Sequence, residues 1–391
     1  MGNEIELSAV ITDIAAGPFG SNLKVECFVP SGFPIIDGAN LKGYKVTDNI
    51  TKFVTEEKAR SLSRSIAHRG DVIVTISGTI GQLAYIPEDS LYNEYLCSQR
   101  QFRVSFDSSM VYVPYLVFYF HTFEGQNKIL SFANQTGVPA LSQPLKNFKK
   151  IRLCLPSLQE QRRIASIVET INDKIENNIK INDNLHQQAA TLFKALFVDL
   201  TPFDGTMPPN WTISTLGDAT EMGAGGDKPK ESSPVKTPLC PYPIYSNGIN
   251  DYGLYGYTND PKIKVESVTV SARGTIGYVC LRHTPYVPIV RLVTLIPDTK
   301  VLSAKYLYLY LRQLHITGTG TTQQQLTVPD FRKTEIIIPD KNTMDSFTET
   351  VTPLFEQIWA NEDENTKLAE VRDALLPKLM SGEIDVSDIQ L

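Results

Sequence analysis

The sequence predicts an α+β chain: two mixed α/β domains, related by internal duplication and held apart by two long helices. Three observations predict it. A five-residue loop occurs twice, as Ser77-Gly78-Thr79-Ile80-Gly81 and as Arg273-Gly274-Thr275-Ile276-Gly277. Other segments recur around it in the same order. Each copy then ends in a long heptad-spaced apolar pattern.

Each loop follows a β-branched run, DVIVTI at 71–76 and ESVTV at 266–270, which is strand composition. Clusters of Gly and Pro (GPFGSN, PPNW, GAGGDKP) punctuate the surroundings as turns. PYLVFYF at 114–120 and KYLYLYL at 305–311 are read as helices, although apolar runs of that length also suit strands. LKNFKKIRLCLP (145–156) then corresponds to TVPDFRKTEIIIP (327–339), with Phe148 matching Phe331 and Pro156 matching Pro339. The offset between copies falls from 196 at the loop to 191 and then 183, the drift expected of loop deletions in the second copy.

The first long helix is expected from about Glu160 to Phe197, with a positions Ile164, Ile171, Asn178, Leu185 and Leu192 and d positions Val168, Ile175, Asn182, Ala189 and Leu196. The second places Phe347, Leu354, Asn361, Leu368 and Leu375 at a, and Val351, Ile358, Asn365, Arg372 and Leu379 at d. Both carry an Asn pair mid-helix. If the helices pair antiparallel, these Asn layers meet and fix the register at a cost in stability. The expected pairing residues are then Ile171, Asn178, Asn182, Leu185, Leu354, Asn361, Asn365 and Leu368. Two solvated helices with Asn facing water remain the alternative. Pro353 should kink the second helix or delay its start, and Gly382 suits its end. A helix of the first one's extent is about 55 Å long, enough to separate two globular blocks. The expected limits are 1–155 for the first domain, 156–200 for the first helical region, 201–339 for the second domain and 340–391 for the second helical region.

The 391 residues have room for two or three domains, and 42% hydrophobic with 20% charged residues is ordinary for a soluble protein. VYVPYLVFYF is too short to span a bilayer and contains Pro114. The start, MGNEIELSAV, lacks a signal peptide's basic and apolar regions, so the expected location is the cytoplasm. Five scattered cysteines without C-x-x-C spacing and five histidines without H-x-x-x-H argue against a disulfide framework and a metal site. The net charge of −6 is concentrated in residues 341–391, with 4 basic and 11 acidic side chains. The remainder is nearly balanced, so composition neither supports nor excludes nucleic acid.

No P-loop, G-x-G-x-x-G, N-P-P-[FY] or nucleophile-elbow pattern occurs, which points to a non-catalytic protein. What remains is a set of polar and aromatic loops rich in the side chains that read base edges and hold phosphates. In the first domain they present Asn22, Lys24, Ser77, Thr79, Gln99 and Arg100. In the second they present Lys228, Lys230, Ser246, Asn247, Tyr257, Arg273, Thr275, Gln323 and Gln324. Any one loop alone reads more readily as a surface turn; the set on a duplicated scaffold favours nucleic-acid binding. The alternative is an adaptor carrying two small-ligand modules on a helical spacer.

LPSLQEQRRIASIVETINDKI with LFKALFVDLTPF, and LAEVRDALLPKLMSGEI, resemble the two helical regions of the specificity subunit of Type I restriction–modification systems. GPFGSNL, GTIG and YPIYSNGI resemble the loop motifs of its target-recognition domains, and the similarity covers almost the whole chain. The resemblance implies two target-recognition domains, each reading half of a bipartite, asymmetric double-stranded DNA site, separated by an antiparallel two-helix coiled coil with a pseudo-two-fold repeat. It implies docking of two methyltransferase subunits and, where present, restriction subunits. S-adenosylmethionine, ATP and Mg would then sit on those partners, and none in this chain. The second helix departs from the pattern, reading TMDSFTETV where the first has QEQRRIASIV, which leaves docking there less secure. Under this reading the repeated loop is a shared scaffold for two half-sites. Arg273 suits guanine O6 and N7, whereas Ser77 discriminates far less.

Overall fold

The computed structural model describes residues 3–134, 137–318 and 325–389. It divides into two compact units, residues 1–177 with 364–391, and residues 178–363.

At the centre of the first unit is an antiparallel sheet in the order Ile11–Ala16, Gln101–Phe106, Val72–Thr75, Leu83–Tyr85. Every residue of Val72–Thr75 is buried, which is why it reads as an unbroken β-branched run and not as an alternation. Val72 and Val74 enter one core with Leu116, Val117 and Phe120, while Ile73 enters another with Ile36 and Cys97. A second sheet runs Phe28–Val29, Phe53–Val54, Phe33–Ile36, Glu94–Cys97, Ile66–His68, with Ile35 paired to Leu96 in parallel. Asn3–Glu6 pairs with Arg152–Leu155.

The second unit repeats this plan. Its central sheet runs Thr220–Ala224, Leu292–Pro297, Ser267–Ser271, Val279–Arg282. The companion sheet runs Ser232–Ser233, Leu254–Thr258, Tyr242–Tyr245, Val287–Pro288, again with one parallel pair, Ile244 to Val287. Thr212–Thr215 pairs with Glu335–Ile338. The duplication expected from scattered segments is therefore a duplication of topology. Both ambiguous apolar runs are helices, Val113–His121 and Ala304–Gln313. Pro114 sits in the first turn of one, and the Ser303 side chain caps the other by accepting from Tyr306 N.

The long helices are Leu158–Phe193, extended by a π-helical turn at Lys194–Val198, and Lys341–Ser381. In the first unit, Ile164, Ala165 and Val168 pack with Leu376 and Leu379, and with Tyr115 and Phe118. Gln161, fully buried, ties the first helix to its unit. Its Nε2 donates to Met110 O (2.9 Å) and Pro156 O (3.0 Å), and its Oε1 accepts from Tyr112 N (2.8 Å). The d-position Arg372 donates from Nη1 to Asn172 Oδ1 (3.0 Å) and lies over the Tyr44 ring. In the second unit, Ala189 and Phe193 join Phe347, Val351, Phe355 and Ile358. There Asn361 Nδ2 donates to Asn182 Oδ1 (2.7 Å), and Asn182 Nδ2 donates to Ile358 O (3.2 Å). Asn178 is buried, whereas Ile171, Leu185, Leu354, Asn365 and Leu368 are half-buried.

Two expectations need correction. Pro353 does not delay the second helix, which starts at Lys341, immediately after Asp340. The Asp340 Oδ1 accepts from Asn342 N (3.1 Å) and Thr343 N (3.2 Å) and so caps the first turn. Pro353 itself is exposed, between buried Val351 and Phe355. Core packing on one face outweighs a local helix penalty of about 3 kcal/mol. Leu192 is exposed despite its a position, because the next residue, Phe193, the last of the α-helix, takes the core place between Ala189 and Phe197. Gly382, with φ 76°, ends the second helix as expected. No helix among the described residues is long and apolar enough to cross a membrane.

Candidate nucleic-acid interface

The repeated loop joins adjacent antiparallel strands in both units, Val72–Thr75 to Leu83–Tyr85 and Ser267–Ser271 to Val279–Arg282. Its two glycines take left-handed backbone in each copy: φ is 89° and 82° at Gly78 and Gly81, and 78° and 83° at Gly274 and Gly277. Side chains with a Cβ avoid that region, so the turn requires glycine whichever residue precedes it.

The backbone around the loop is the same in both copies. Ile76 N donates to Arg100 O (2.7 Å) and Leu141 N to Ile76 O (2.8 Å); Ala272 N donates to Arg291 O (2.9 Å) and Leu326 N to Ala272 O (2.8 Å). A second glycine pair closes the frame. A Cβ on Gly17 would lie 1.9 Å from Ser98 O, and one on Gly225 would lie 2.2 Å from Ile289 O. Both approaches exclude any larger residue.

In the first unit this frame brings Ser77, Thr79, Gln99 and Arg100 into one cleft, with Asp37, Lys52 and Gln82, against apolar Leu23, Phe28 and Ile35. Gln99 braces the cleft: its Nε2 donates to Gly20 O (3.2 Å) and to Leu23 O, fixing the turn that carries Asn22. Asn22 and Lys24 are exposed on that turn but do not line the cleft. Lys52 Nζ lies 2.7 Å from Asp37 Oδ2. Burial works to raise the Asp37 pKa, but the Lys52 bond and the Ala39 N–H outweigh it and hold the carboxyl below its usual range. The Arg100 guanidinium reaches over the loop, with Nη1 3.8 Å from where a Gly78 Cβ would stand.

In the second unit Asn247, Arg273 and Thr275 come together. Asn247 Nδ2 donates to Arg273 O (2.7 Å), while Asn247 O accepts from Thr275 Oγ1 (3.0 Å) and Ser271 Oγ (3.3 Å). Asn247 thus pins the backbone of the loop, and Arg273 beside it is half-buried. Ser246 N donates to Gly253 O (2.8 Å) next to it. Lys228, Lys230 and Tyr257 belong to the companion sheet and its approach: Lys228 Nζ stands 5.1 Å from the Tyr255 ring centroid, and Tyr257 pairs with Ser233 and Pro243. Gln323 and Gln324 lie outside the described residues. Sequence reasoning missed Lys52 and Arg291, which no motif marks.

The two loop frames offer guanidinium, ammonium, amide and hydroxyl donors at exposed turns. That is the chemistry for holding phosphates and reading base edges. No group of three or more His, Cys, Asp or Glu among the described residues is placed to hold a metal ion.

Residues 29–187 and 208–370 each match the model of the Type I restriction modification DNA specificity domain. Over 414 residues the chain is 25% identical to the Type I restriction enzyme MjaIX specificity subunit of Methanocaldococcus jannaschii, covering 97% of this chain and 93% of that one. It is 26% identical over 318 residues to the Type I restriction enzyme HindI specificity subunit of Haemophilus influenzae, covering 60% and 69%. In fold it resembles the S subunit of a Type I restriction–modification system from M. genitalium, with a TM-score of 0.58 at 15% identity, covering 97% of this chain and 96% of that one. Two matches to one domain model, one in each half and together spanning most of the chain, make it a member of the Type I restriction–modification DNA specificity family.

Proposed function

We propose that this chain reads a bipartite, asymmetric double-stranded DNA site, one half through each domain, and presents that site to bound methyltransferase subunits. It is the specificity subunit of a Type I restriction–modification system, the recognition component and not the catalyst. One observation carries the bipartite reading. The two units share a loop frame down to its backbone hydrogen bonds, yet place Ser77 at one loop and Arg273 at the other. A common scaffold with different readers suits two different half-sites.

In this proposal the domains occupy residues 1–155 and 201–339, and the helical regions 156–200 and 340–391 pair as an antiparallel coiled coil that sets the spacing of the half-sites. The Asn361–Asn182 bond and the Arg372–Asn172 bond support that pairing. The same helices would dock two methyltransferase subunits carrying S-adenosylmethionine, and restriction subunits using ATP and Mg where these exist. The assembly would work in the cytoplasm.

The test is methylome sequencing of a host expressing this chain with its methyltransferase. The expected result is a methylated motif of two specific blocks around an unspecified spacer, absent when this chain is deleted. A single continuous motif, or methylation that ignores the deletion, would refute the proposal.

A further inference from the structure

The two units hold one identical charged side chain at the same place on the loop frame. Arg100 stands just before the strand Gln101–Phe106, and Arg291 just before Leu292–Pro297. Three contacts fix the equivalence. Each arginine's carbonyl accepts from the residue before the loop, Ile76 N or Ala272 N. The following carbonyl accepts from the frame glycine: Gly17 N to Gln101 O (2.8 Å) and Gly225 N to Leu292 O (2.7 Å). Two residues upstream, Ser98 N donates to Ile36 O (3.0 Å) and Ile289 N to Tyr245 O (2.9 Å).

Around this position the copies differ. Gln99 corresponds to Val290, Gln101 to Leu292, and Ser77 to Arg273. The arginine alone of these is kept, although Arg291 takes a left-handed backbone, φ 72°, that Arg100 does not. Both arginines are exposed. Neither guanidinium meets a carboxylate among the described residues. Arg103, two residues beyond the strand's start, is by contrast buried and paired with Asp13 Oδ2 at 2.6 Å.

Two half-sites of an asymmetric sequence differ in base sequence, whereas the sugar–phosphate backbone is common to both. An arginine set at the same backbone register by both domains is therefore suited to what both halves share. We infer that Arg100 and Arg291 are matched phosphate contacts, one per domain, which seat the duplex against the glycine loop and leave the Ser77/Arg273 position to discriminate bases. This inference rests on the DNA-reading function proposed above.

The experiment uses the full chain co-purified with its methyltransferase subunits. Binding is titrated with salt on the methylated motif and on a panel of single-base variants. Arg100→Ala and Arg291→Ala should each weaken every duplex by the same factor. Each should also reduce the slope of log K against log salt by about 0.9, and the pair together by about 1.8. Arg100→Lys and Arg291→Lys should keep most of the affinity and the full slope, because a phosphate accepts a point charge where a guanine edge needs the planar fork. Altered preference at one base, an unchanged slope, or a Lys variant as weak as the Ala variant would overturn the inference while leaving DNA reading intact. Wild-type binding with no salt dependence would overturn both.

Discussion

The Asn182–Asn361 pair can be tested by replacing its members singly and together with leucine. Both residues are buried, with 8% and 5% of their surface exposed, and one bond of 2.7 Å joins them. Asn182→Leu strips Asn361 Nδ2 of its acceptor in a site that water does not reach, at about 1–3 kcal/mol. Burying a leucine side chain returns part of that, so each single change should cost about 1 kcal/mol. The double change leaves neither orphan and gains two apolar side chains. Exchanges of buried polar pairs for apolar ones are neutral to stabilising, so a gain of about 1 kcal/mol is expected. The coupling between the sites is then about 3 kcal/mol. Gln357 Nε2, which donates to Asn361 Oδ1 (2.8 Å), sits at the surface and can turn to solvent. The readout is built in, because both tryptophans, Trp211 and Trp359, fall in the second unit. Tryptophan fluorescence, excited selectively, therefore reports on that unit alone during denaturation. For a domain of this size 1 kcal/mol shifts the midpoint by about 2–4 °C. Single changes that add within about 0.5 kcal/mol, or a double variant less stable than either single one, would refute the buried-pair argument.

Three further outcomes are expected. Gly225→Ala, whose Cβ would stand 2.2 Å from Ile289 O, should lower stability by about 1–3 kcal/mol; an unchanged fluorescence midpoint would place the close approach elsewhere. Arg273→Ala should cost about 1–3 kcal/mol of binding and relax one position of one half-site, whereas Lys230→Ala should weaken all duplexes alike and reduce the salt slope by about one. Uniform weakening across a base panel by Arg273→Ala counts against base reading. Burial lowers the pKa of His121, whose Nε2 lies 2.9 Å from Leu83 O. The folded chain thus favours the neutral ring and the unfolded chain binds the extra proton. That stability is present above the ordinary histidine value of about 6.5 and is lost as pH falls below it toward the depressed folded value. Urea midpoints from about pH 7 to pH 5 should fall more steeply for wild type than for His121→Gln, and equal slopes would remove the histidine from the account.

What was legible followed from burial. DVIVTI reads as a strand because its β-branched residues fill cores on both faces, and ESVTV because Val268 and Val270 fill one core while Thr269 is buried and hydrogen-bonded on the other face; they are strands at Val72–Thr75 and Ser267–Ser271. PYLVFYF and KYLYLYL were harder, since a helix buried on almost every side shows no period; their recurrence in the same order was the usable signal. The delayed start that Pro353 suggested fails because local propensity carries no knowledge of a face packed by Val351, Phe355 and Ile358. Leu192 misled because a strict heptad puts the next core residue three after Ala189, whereas the core face here steps by four, through Ala189, Phe193 and Phe197.

The loop residues divide by the same logic. Ser77, Thr79, Gln99 and Arg100 sit near one another in space because two strands return to the same turn, and their motifs flank it in sequence as well. Arg291 escaped notice because its surroundings, PIVRLV, share nothing with CSQRQF except the arginine. Only strand register reveals the match: Phe102 faces Val74, as Val293 faces Val270. A duplicated binding domain hides its common contacts in this way. Apolar positions keep their pattern, because a core tolerates only residues of similar size. Under the proposed function, base-reading positions would diverge with their targets. A lone surface charge between them has neither periodicity nor a motif, and it becomes visible as a shared contact only when two copies of one backbone are compared atom by atom.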